Sequence, residues 1–223
     1  MRTNMFHLQA RHIVSAGLMA AMLMATSSGC GLVSQISYWM YGNKIPAKCT
    51  GLEGKRVAVV CLDSNSLKGP GSEAEAVAKA ITTNLGYHVP DIELVRPAEI
   101  ADWIDSQNHD VVDYRDIGRG VKADVVLAID LDSFSIHEGQ TLLKGRAKVG
   151  VRAYDMSKGG GEVIYETLAR EISWPETGAR HVTESESNFR TVFIHTLAQK
   201  IAKDFYAYDK IEDYGGDASY QGD

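Results

Sequence analysis

The sequence predicts a mixed α/β (α+β) fold in which two N-terminal strand-helix units precede an antiparallel three-stranded meander and a long C-terminal helix. Three observations lead to this fold class. A valine-rich run at residues 56–62 is followed by apolar residues at helical spacing. Residues 124–174 contain three apolar or alternating runs separated by turns, and residues 188–206 repeat apolar side chains with a helical period. Together these patterns predict one mixed sheet covered by helices.

The first strand-helix unit begins with the valine-rich run, whose continuous apolar character is typical of a buried strand. A polar loop at residues 63–71 follows. Ser72 is then expected to cap a helix that Gly86 ends, because the residues between them are apolar at helical spacing. These residues are Ala74, Val77, Ala78, Ile81 and Leu85.

The second unit is shorter and begins with a strand at residues 92–95. Pro97 favours the first position of a helix, in which Ile100, Trp103 and Ile104 share one face. Residues 113–121 predict another short helical turn. This turn leads into the meander.

The meander begins with the strongest strand pattern of the chain, at residues 124–136, where five successive apolar residues precede an alternating segment. Residues 141–154 are predicted to return as the second strand. A glycine-rich turn at residues 158–161 then leads to a third strand at residues 163–174. The helix at residues 188–206 should cover one sheet face, and the acidic residues 207–223 are predicted to form a disordered tail.

An N-terminal signal precedes this domain. Arg2 and Arg11 lie before an uncharged run at residues 13–25, and small residues at positions 27–29 end it. A run of this length is shorter than the roughly 20 apolar residues that a membrane-spanning helix needs. We therefore predict that residues 1–29 are a cleaved secretory signal peptide.

Cys30 directly follows those small residues, so residues 27–30 resemble the lipobox of bacterial lipoproteins, although Ser27 stands where the family prefers leucine. The resemblance implies cleavage between Gly29 and Cys30 and attachment of diacylglycerol and palmitate-like acyl chains to Cys30, which would anchor the protein in a membrane. Gly31, in place of aspartate, implies sorting to the outer membrane, with the domain facing the periplasm. The alternative is an ordinary signal peptide whose end happens to contain a cysteine.

Composition limits the partners and cofactors of the exported chain. Removal of Arg2 and Arg11 with the signal takes the net charge from −6 to −8, which does not favour nucleic-acid binding. Neither Cys-x-x-Cys nor histidine-rich spacing points to a metal, and no cofactor is implied.

Residues 30–54 are predicted to form a lipidated membrane-proximal arm, lying either on the lipid headgroups or against the domain. Cys49 and Cys61 could pair in an oxidising compartment, although Cys61 also suits a small buried hydrophobic position.

Three segments carry a resemblance at the level of the whole domain. They are residues 55–62, the Gly-Val-Lys-Ala-Asp sequence at residues 120–124 before a strand, and the turn at residues 155–162. In this order, and across residues 55–206, the chain resembles the CsgG, LpoB and TolB N-terminal group of bacterial envelope proteins. The resemblance implies a non-enzymatic, periplasm-facing module that works through protein partners.

The sequence Gly-Pro-Gly-Ser-Glu-Ala at residues 69–74 imitates a dinucleotide-binding fingerprint. The spacing is wrong, because a polar loop separates the glycines from the preceding strand. Glu73 and Glu75 would also repel a pyrophosphate, whereas both favour the dipole of a helix that starts here. We therefore interpret this segment as a helix start.

Asp130 and Asp132 lie two residues apart in a strand and so share one face, as an acid/base pair would. A hairpin folded about Gly139 sets Asp132 opposite Arg146 and Asp130 opposite Lys148. Cross-strand ion pairs are then the simpler interpretation.

Other polar side chains give no catalytic pattern. Ser64 and Ser66 follow the first strand without a Gly-x-Ser-x-Gly motif, and the histidines are scattered along the chain. A basic stripe on the second meander strand could bind an anionic lipid or glycan, or form a solvated sheet face. Its residues are Lys144, Arg146, Lys148 and Arg152.

Three functional hypotheses follow from these patterns. The first is a membrane-anchored envelope lipoprotein that binds a protein partner as an accessory or assembly module. The second is an envelope hydrolase acting on glycan or ester substrates, and the third is a small-ligand or lipid-binding module. A deep pocket that gathers Ser, His and Asp would favour the hydrolase, whereas a filled interior and an exposed apolar groove would favour partner binding.

Overall fold

The computed structural model describes residues 44–63, 72–107, 113–157, 160–181 and 185–210. The chain divides into two units, residues 1–45 and residues 46–223. Of the first unit, the described residues are those of the short strand β1 (Lys44–Ile45). The predicted signal peptide, Gly29 and Cys30 lie outside the described residues and stay predictions.

The second unit contains the predicted elements in the predicted order, together with two short strands, at residues 180–181 and 208–209, that were not predicted. They are β2 (Arg56–Asp63), α1 (Glu73–His88), β3 (Glu93–Leu94), α2 (Pro97–Ser106), α3 (Tyr114–Gly120), β4 (Val125–Glu138), β5 (Leu142–Asp155), β6 (Glu162–Trp174), β7 (Arg180–His181), α4 (Glu186–Ala202) and β8 (Tyr208–Asp209). The α/β fold class is therefore confirmed. None of the helices in the described part of the chain is long and apolar enough to cross a bilayer.

One mixed sheet carries the domain, with the strand order β3-β2-β4-β5-β6 and with β7 added beside β5. Strand β2 pairs in parallel with both β3 and β4. Strands β4, β5 and β6 pair antiparallel, which confirms the three-stranded meander. The two strand-helix units account for the parallel pairs, because parallel neighbouring strands must be joined by a crossover connection, which is usually a helix.

Both faces of the sheet are covered where the parallel strands lie. On the first face, Val57, Leu127 and Val151 form one core with residues of α1 and α4. On the second face, Ala58, Val126 and Tyr154 form a smaller core with residues of α2 and α3. The near-continuous apolar stretch in β2 follows from this arrangement, since a strand buried on both faces does not alternate.

The folded unit is larger than the predicted residues 55–206. Cys49 and Leu52 belong to the first-face core, and the backbone N–H groups of Lys48 and Cys49 donate to the carbonyl oxygen of Asp204 at 2.9 and 3.0 Å. Residues 46–54 therefore pack against the domain, which is one of the two placements predicted for the arm. At the other end, residues 208 and 209 form β8, so the predicted tail starts too early, and residues 211–223 lie outside the described part.

The predicted register of the β4–β5 hairpin is wrong by two residues. Asp130 lies opposite Gly150, and Glu138 pairs with Leu142, so the turn is centred on Gln140 and not on Gly139. Gly139 instead supplies a positive φ of 70° at the start of the turn. Register shifts at two points of β4 change the pairing further along the hairpin.

Gly145 in β5 provides a test of how closely α4 packs on the sheet. A Cβ atom at this position would lie 2.4 Å from the Phe193 ring, so Gly145→Ala is expected to lower the free energy of unfolding by about 1–3 kcal/mol. Gly150→Ala, in the same strand, is the control, because the nearest atom would be 3.8 Å away. Urea denaturation of both variants measures the difference, and equal losses would contradict this packing.

Candidate functional site

The candidate site is an open cleft at the carboxyl end of β2, between the start of α1 on one sheet face and α2 on the other. We call it the β2 cleft, and its volume is about 260 Å³. The strand order reverses here. The chain passes from β2 to β3 on one side of β2, and the next strand in sequence, β4, lies on the other side of β2. In open α/β sheets such reversal points form ligand-binding crevices. The lining residues are Val59, Val60, Cys61, Leu62, Ser72, Glu75, Ala78, Pro97, Ile100, Ala101, Ile104 and Asp105.

Local sequence fixes both helical walls of the β2 cleft. Ser72 caps α1 as predicted, with its hydroxyl accepting the backbone N–H of Glu75 at 3.2 Å. Pro97 begins α2, also as predicted. Ile100 is buried in the second-face core, whereas Ala101 and Asp105 are exposed beside it. The helix thus presents a partly apolar strip to the opening.

The charges at the β2 cleft are acidic. Among the described residues that line it, Glu75 and Asp105 are charged, and none is lysine, arginine or histidine. Glu73, beside the cleft, is paired with Arg190 at 2.6 Å. Acidic side chains in the first turn of α1 favour the helix dipole and repel an anionic ligand. The glycines at residues 69–71 lie outside the described residues. Ser72 and Glu73 form the start of a helix, which agrees with the interpretation of this segment as a helix start.

Cys61 is the thiol in the lining of the β2 cleft. The residue is half-buried and packs against the first-face core. Burial, and then the negative charges of Asp130 and Asp63, raise the pKa of the Cys61 thiol far above its usual range. A thiol that stays protonated is a poor nucleophile. Cys61 and Cys49 are both free thiols, so the structure does not contain the disulfide that the sequence left open.

The raised pKa of Cys61 predicts a pH dependence of stability. In the unfolded chain this thiol ionises near about pH 8.5, whereas in the folded chain it stays neutral, so the unfolded state loses a proton first. The free energy of unfolding should therefore be unaffected by this group below about pH 8 and fall above it, by up to about 1.4 kcal/mol per pH unit. Urea denaturation between neutral pH and about pH 9.5 measures this fall, and Cys61→Ala should reduce it. An equal fall in both proteins would contradict the assignment.

A polar cluster lies close to the β2 cleft, at the end of the second-face core. The Tyr114 hydroxyl donates to Oδ1 of Asp130 at 2.8 Å, and Arg152 forms an ion pair with the other carboxylate oxygen. Burial, and then the hydrogen bond to Asp130, raise the pKa of Tyr114. The cluster joins α3 to β4 and β5. Asp130 therefore serves to hold the fold, as the sequence indicated, but its partner is Arg152 and not Lys148.

The other predicted ion pair, between Asp132 and Arg146, is also replaced by different pairs. Arg146 pairs with Glu138 at 2.7 Å and not with Asp132, because the register is shifted. Asp132 lies 3.8 Å from Lys148. Three cations of the basic stripe thus face carboxylates, which weakens the attraction for an added anion. Binding of an anionic ligand by Lys144, Arg146, Lys148 and Arg152 stays a prediction.

The histidines whose side chains are described lie on separate elements. His88 stacks on Tyr206 with ring centroids 4.2 Å apart, His137 lies 3.3 Å from Glu186, and His195 is exposed on α4. The described residues contain no group of three or more His, Cys, Asp or Glu side chains arranged to hold a metal ion. Ser64 and Ser66 lie outside the described residues.

Sequence reasoning did not identify the β2 cleft. Ile104 was predicted on the apolar face of α2, and Leu62 was assigned to a buried strand, yet Leu62 is 37% exposed. A partial signal was present in the small residue Ala101 and the acidic Asp105, which interrupt the pattern beside Ile104. That signal identifies an open helix face without showing which segment lies opposite.

The fold is similar to those of several solved structures. No family model matches the chain, and no curated protein matches it. Dodecameric PelC from Paraburkholderia phytofirmans is 15% identical, with 73% of this chain and 96% of that chain covered and a TM-score of 0.42. The LpoB C-terminal domain from Salmonella enterica is 15% identical, with 56% and 87% covered and a TM-score of 0.39. Lipoprotein GNA1162 from Neisseria meningitidis is 12% identical, with 66% and 97% covered and a TM-score of 0.42.

These similarities are too weak to transfer an activity or a partner. The matched structures include LpoB, which is one of the proteins that residues 55–206 were predicted to resemble, and the bacterial lipoprotein GNA1162. The resemblance to CsgG and TolB stays a prediction.

Proposed function

We propose that the chain is a lipid-anchored cell-envelope protein whose α/β domain binds a protein partner as a non-enzymatic accessory or assembly module. The observation that carries the binding role is the β2 cleft, which is open and mainly apolar. The anchoring role rests on the signal-like residues 13–30, with Cys30 as the lipidated residue. Gly31 supports the outer membrane as the location, with the domain in the periplasm.

The lining of the β2 cleft favours binding. Eight of its described residues are aliphatic, alanine or proline, and the polar groups lie at the ends of the helices. Concave apolar surfaces of this kind accept anchor side chains of partner proteins. Leu62 leaves part of a large aliphatic side chain in contact with water, and this contact would be removed by a partner.

The polar residues of the β2 cleft do not form a catalytic constellation. A serine or cysteine nucleophile needs a base within hydrogen-bond distance. Here the Ser72 hydroxyl caps α1, the Cys61 thiol is kept protonated, and none of the described lining residues is a histidine. These features favour partner binding over hydrolysis.

Affinity capture from native membranes tests the proposed function. The full-length tagged chain is purified in mild detergent, and captured proteins are identified by quantitative mass spectrometry against an untagged strain. We expect at least one envelope protein to be recovered reproducibly. Failure to recover any such protein, even after chemical cross-linking in intact cells, would contradict the proposed function.

A further inference from the structure

We infer that the outer edge of β6 binds an extended segment of a partner protein as an added strand. This segment carries two lysine or arginine residues about four positions apart, with an apolar residue between them. The surface is separate from the β2 cleft, because β4 and β5 lie between β2 and β6 in the sheet. The inference therefore goes beyond the proposed function. It is carried by the free backbone edge of β6, by two glutamates without an ion pair and by an exposed leucine.

Strand β6 forms the long free edge of the sheet. It has 13 residues, whereas β3 at the opposite edge has 2. In the part of the chain that the structure describes, no strand pairs with β6 on the side away from β5. The backbone N–H and C=O groups along such an edge can pair with an extended segment, which is how peptides bind by strand addition. The edge of β6 is therefore long enough to accept a peptide.

The charges along β6 indicate which segment fits. Glu166 lies opposite Arg152 of β5, and Glu171 lies opposite Lys148. Both of these cations form their ion pairs with aspartates of β4. The two glutamates are exposed, and neither forms an ion pair with any described residue. Because residues directly opposite each other share one face, both carboxylates would attract cations on a strand added at the outer edge.

The spacing of the partner's cations follows from the example of β5. Lys148 and Arg152 are four residues apart, although the glutamates opposite them are five apart, because β6 contains a bulge between the two pairs. A strand added at the outer edge runs along the same bulge, so its cations are expected about four residues apart. Leu168 lies in the bulge and is 90% exposed. An apolar residue between the cations would remove this side chain from water.

A second copy of this chain fits the edge less well than a basic segment. In a two-fold pairing of β6 with β6 that is centred on the bulge, Glu166 of one copy would lie opposite Glu171 of the other. Like charges directly opposite each other destabilise a strand pair. Bulges and charged side chains also protect an edge strand from pairing with identical strands. The charge pattern therefore favours a basic segment of a different protein.

A selection of random peptides displayed on phage tests the inference, with the full-length chain immobilised in detergent. We expect enriched peptides to carry two cations about four residues apart, with an apolar residue between them. Their affinity should fall about tenfold for the chain with both Glu166→Lys and Glu171→Lys. The matched control carries Asp102→Lys and Asp105→Lys, which change the net charge equally at exposed positions of α2. The control should bind these peptides as the wild type does.

Synthetic versions of an enriched peptide test the backbone pairing. N-methylation of alternate amides removes the hydrogen-bond donors along one side of an extended peptide. One alternate set should abolish binding, whereas the other set, which faces away from β6, should leave binding nearly unchanged. Hydrogen exchange should also slow at the backbone amides of residues 162–174 when the unmodified peptide is bound.

Several results would overturn the inference. They are enrichment of no peptide or of acidic peptides, equal losses of affinity in the two double variants, and equal effects of the two methylation patterns. A dimer of the chain in detergent that Leu168→Lys dissociates would also overturn it, because a second copy would then occupy the edge. In each of these cases the proposed function stands if capture from native membranes recovers an envelope protein.

Discussion

Replacement of Phe193 by alanine is expected to lower the free energy of unfolding by about 3–5 kcal/mol. Phe193 is fully buried, lies against Gly145 of β5, and its ring centroid is 5.2 Å from that of Phe134. The neighbouring side chains are held by the sheet and cannot collapse fully into the space that the ring leaves. Because typical domains are stable by about 5–15 kcal/mol, this single change should remove a large share of the stability.

Urea denaturation followed by circular dichroism measures this effect. Tyr87→Ala is the control, because it also removes an aromatic ring but from a residue that is 83% exposed. The control should change the free energy of unfolding by no more than about 0.5 kcal/mol. Similar losses in the two variants would contradict the assignment of Phe193 to the core between α4 and the sheet.

Cys30→Ala is expected to abolish incorporation of fatty acid into the protein and to release the chain from the membrane fraction. Cys30 directly follows the small residues that end the signal-like run, and its thiol is the predicted attachment point of the lipid. Each buried methylene of an acyl chain contributes about 0.8 kcal/mol, so two or three chains hold a protein stably where one does not. Removal of the thiol should therefore have an all-or-none effect.

Metabolic labelling with an alkyne-modified palmitate measures this prediction. Cys49→Ala is the matched control, because Cys49 is a buried thiol of the folded domain and should leave labelling unchanged. Equal labelling of wild type and Cys30→Ala, or labelling of neither, would contradict the lipid anchor.

The sequence predicted the strands and helices well because their signals are local. The valine-rich run of β2 indicates a strand that is buried on both faces. The helical spacing of Val77, Ile81 and Leu85 indicates a helix with one buried face. Ser72 and Pro97 identify helix starts because capping involves only neighbouring residues. The fold class follows from the order of these local signals.

The pairing between strands was less predictable. The hairpin register depends on where the turn is centred, and Gly139 alone did not show that its positive φ begins the turn and does not mark its middle. A shift of two residues keeps every side chain on its predicted face, so the apolar pattern of β5 fits either register. The predicted partner of Asp130 was wrong for this reason. Arg146 lies opposite Ser135 and not Asp132, because a bulge between Leu131 and Ser133 adds one more residue to the shift.

The β2 cleft could not be predicted because three distant segments form it. Leu62, Ser72 and Ile104 become neighbours only when α1 and α2 cover opposite faces of the sheet. The exposure of Leu62 is likewise a property of the assembled cleft, since the sequence around it is typical of a buried strand. Composition and periodicity describe residues that are close in sequence, so they do not show a cleft between distant segments.

Site-specific photo-crosslinking in living cells tests the central claim most directly, namely that the domain binds a protein partner at the β2 cleft. A benzophenone amino acid is introduced in place of Ala101, in the cleft lining, and separately in place of Tyr87, at the far end of α1. The account predicts a discrete adduct with an envelope protein from position 101 and little or none from position 87. No adduct at either position, or equal adducts at both, would contradict it.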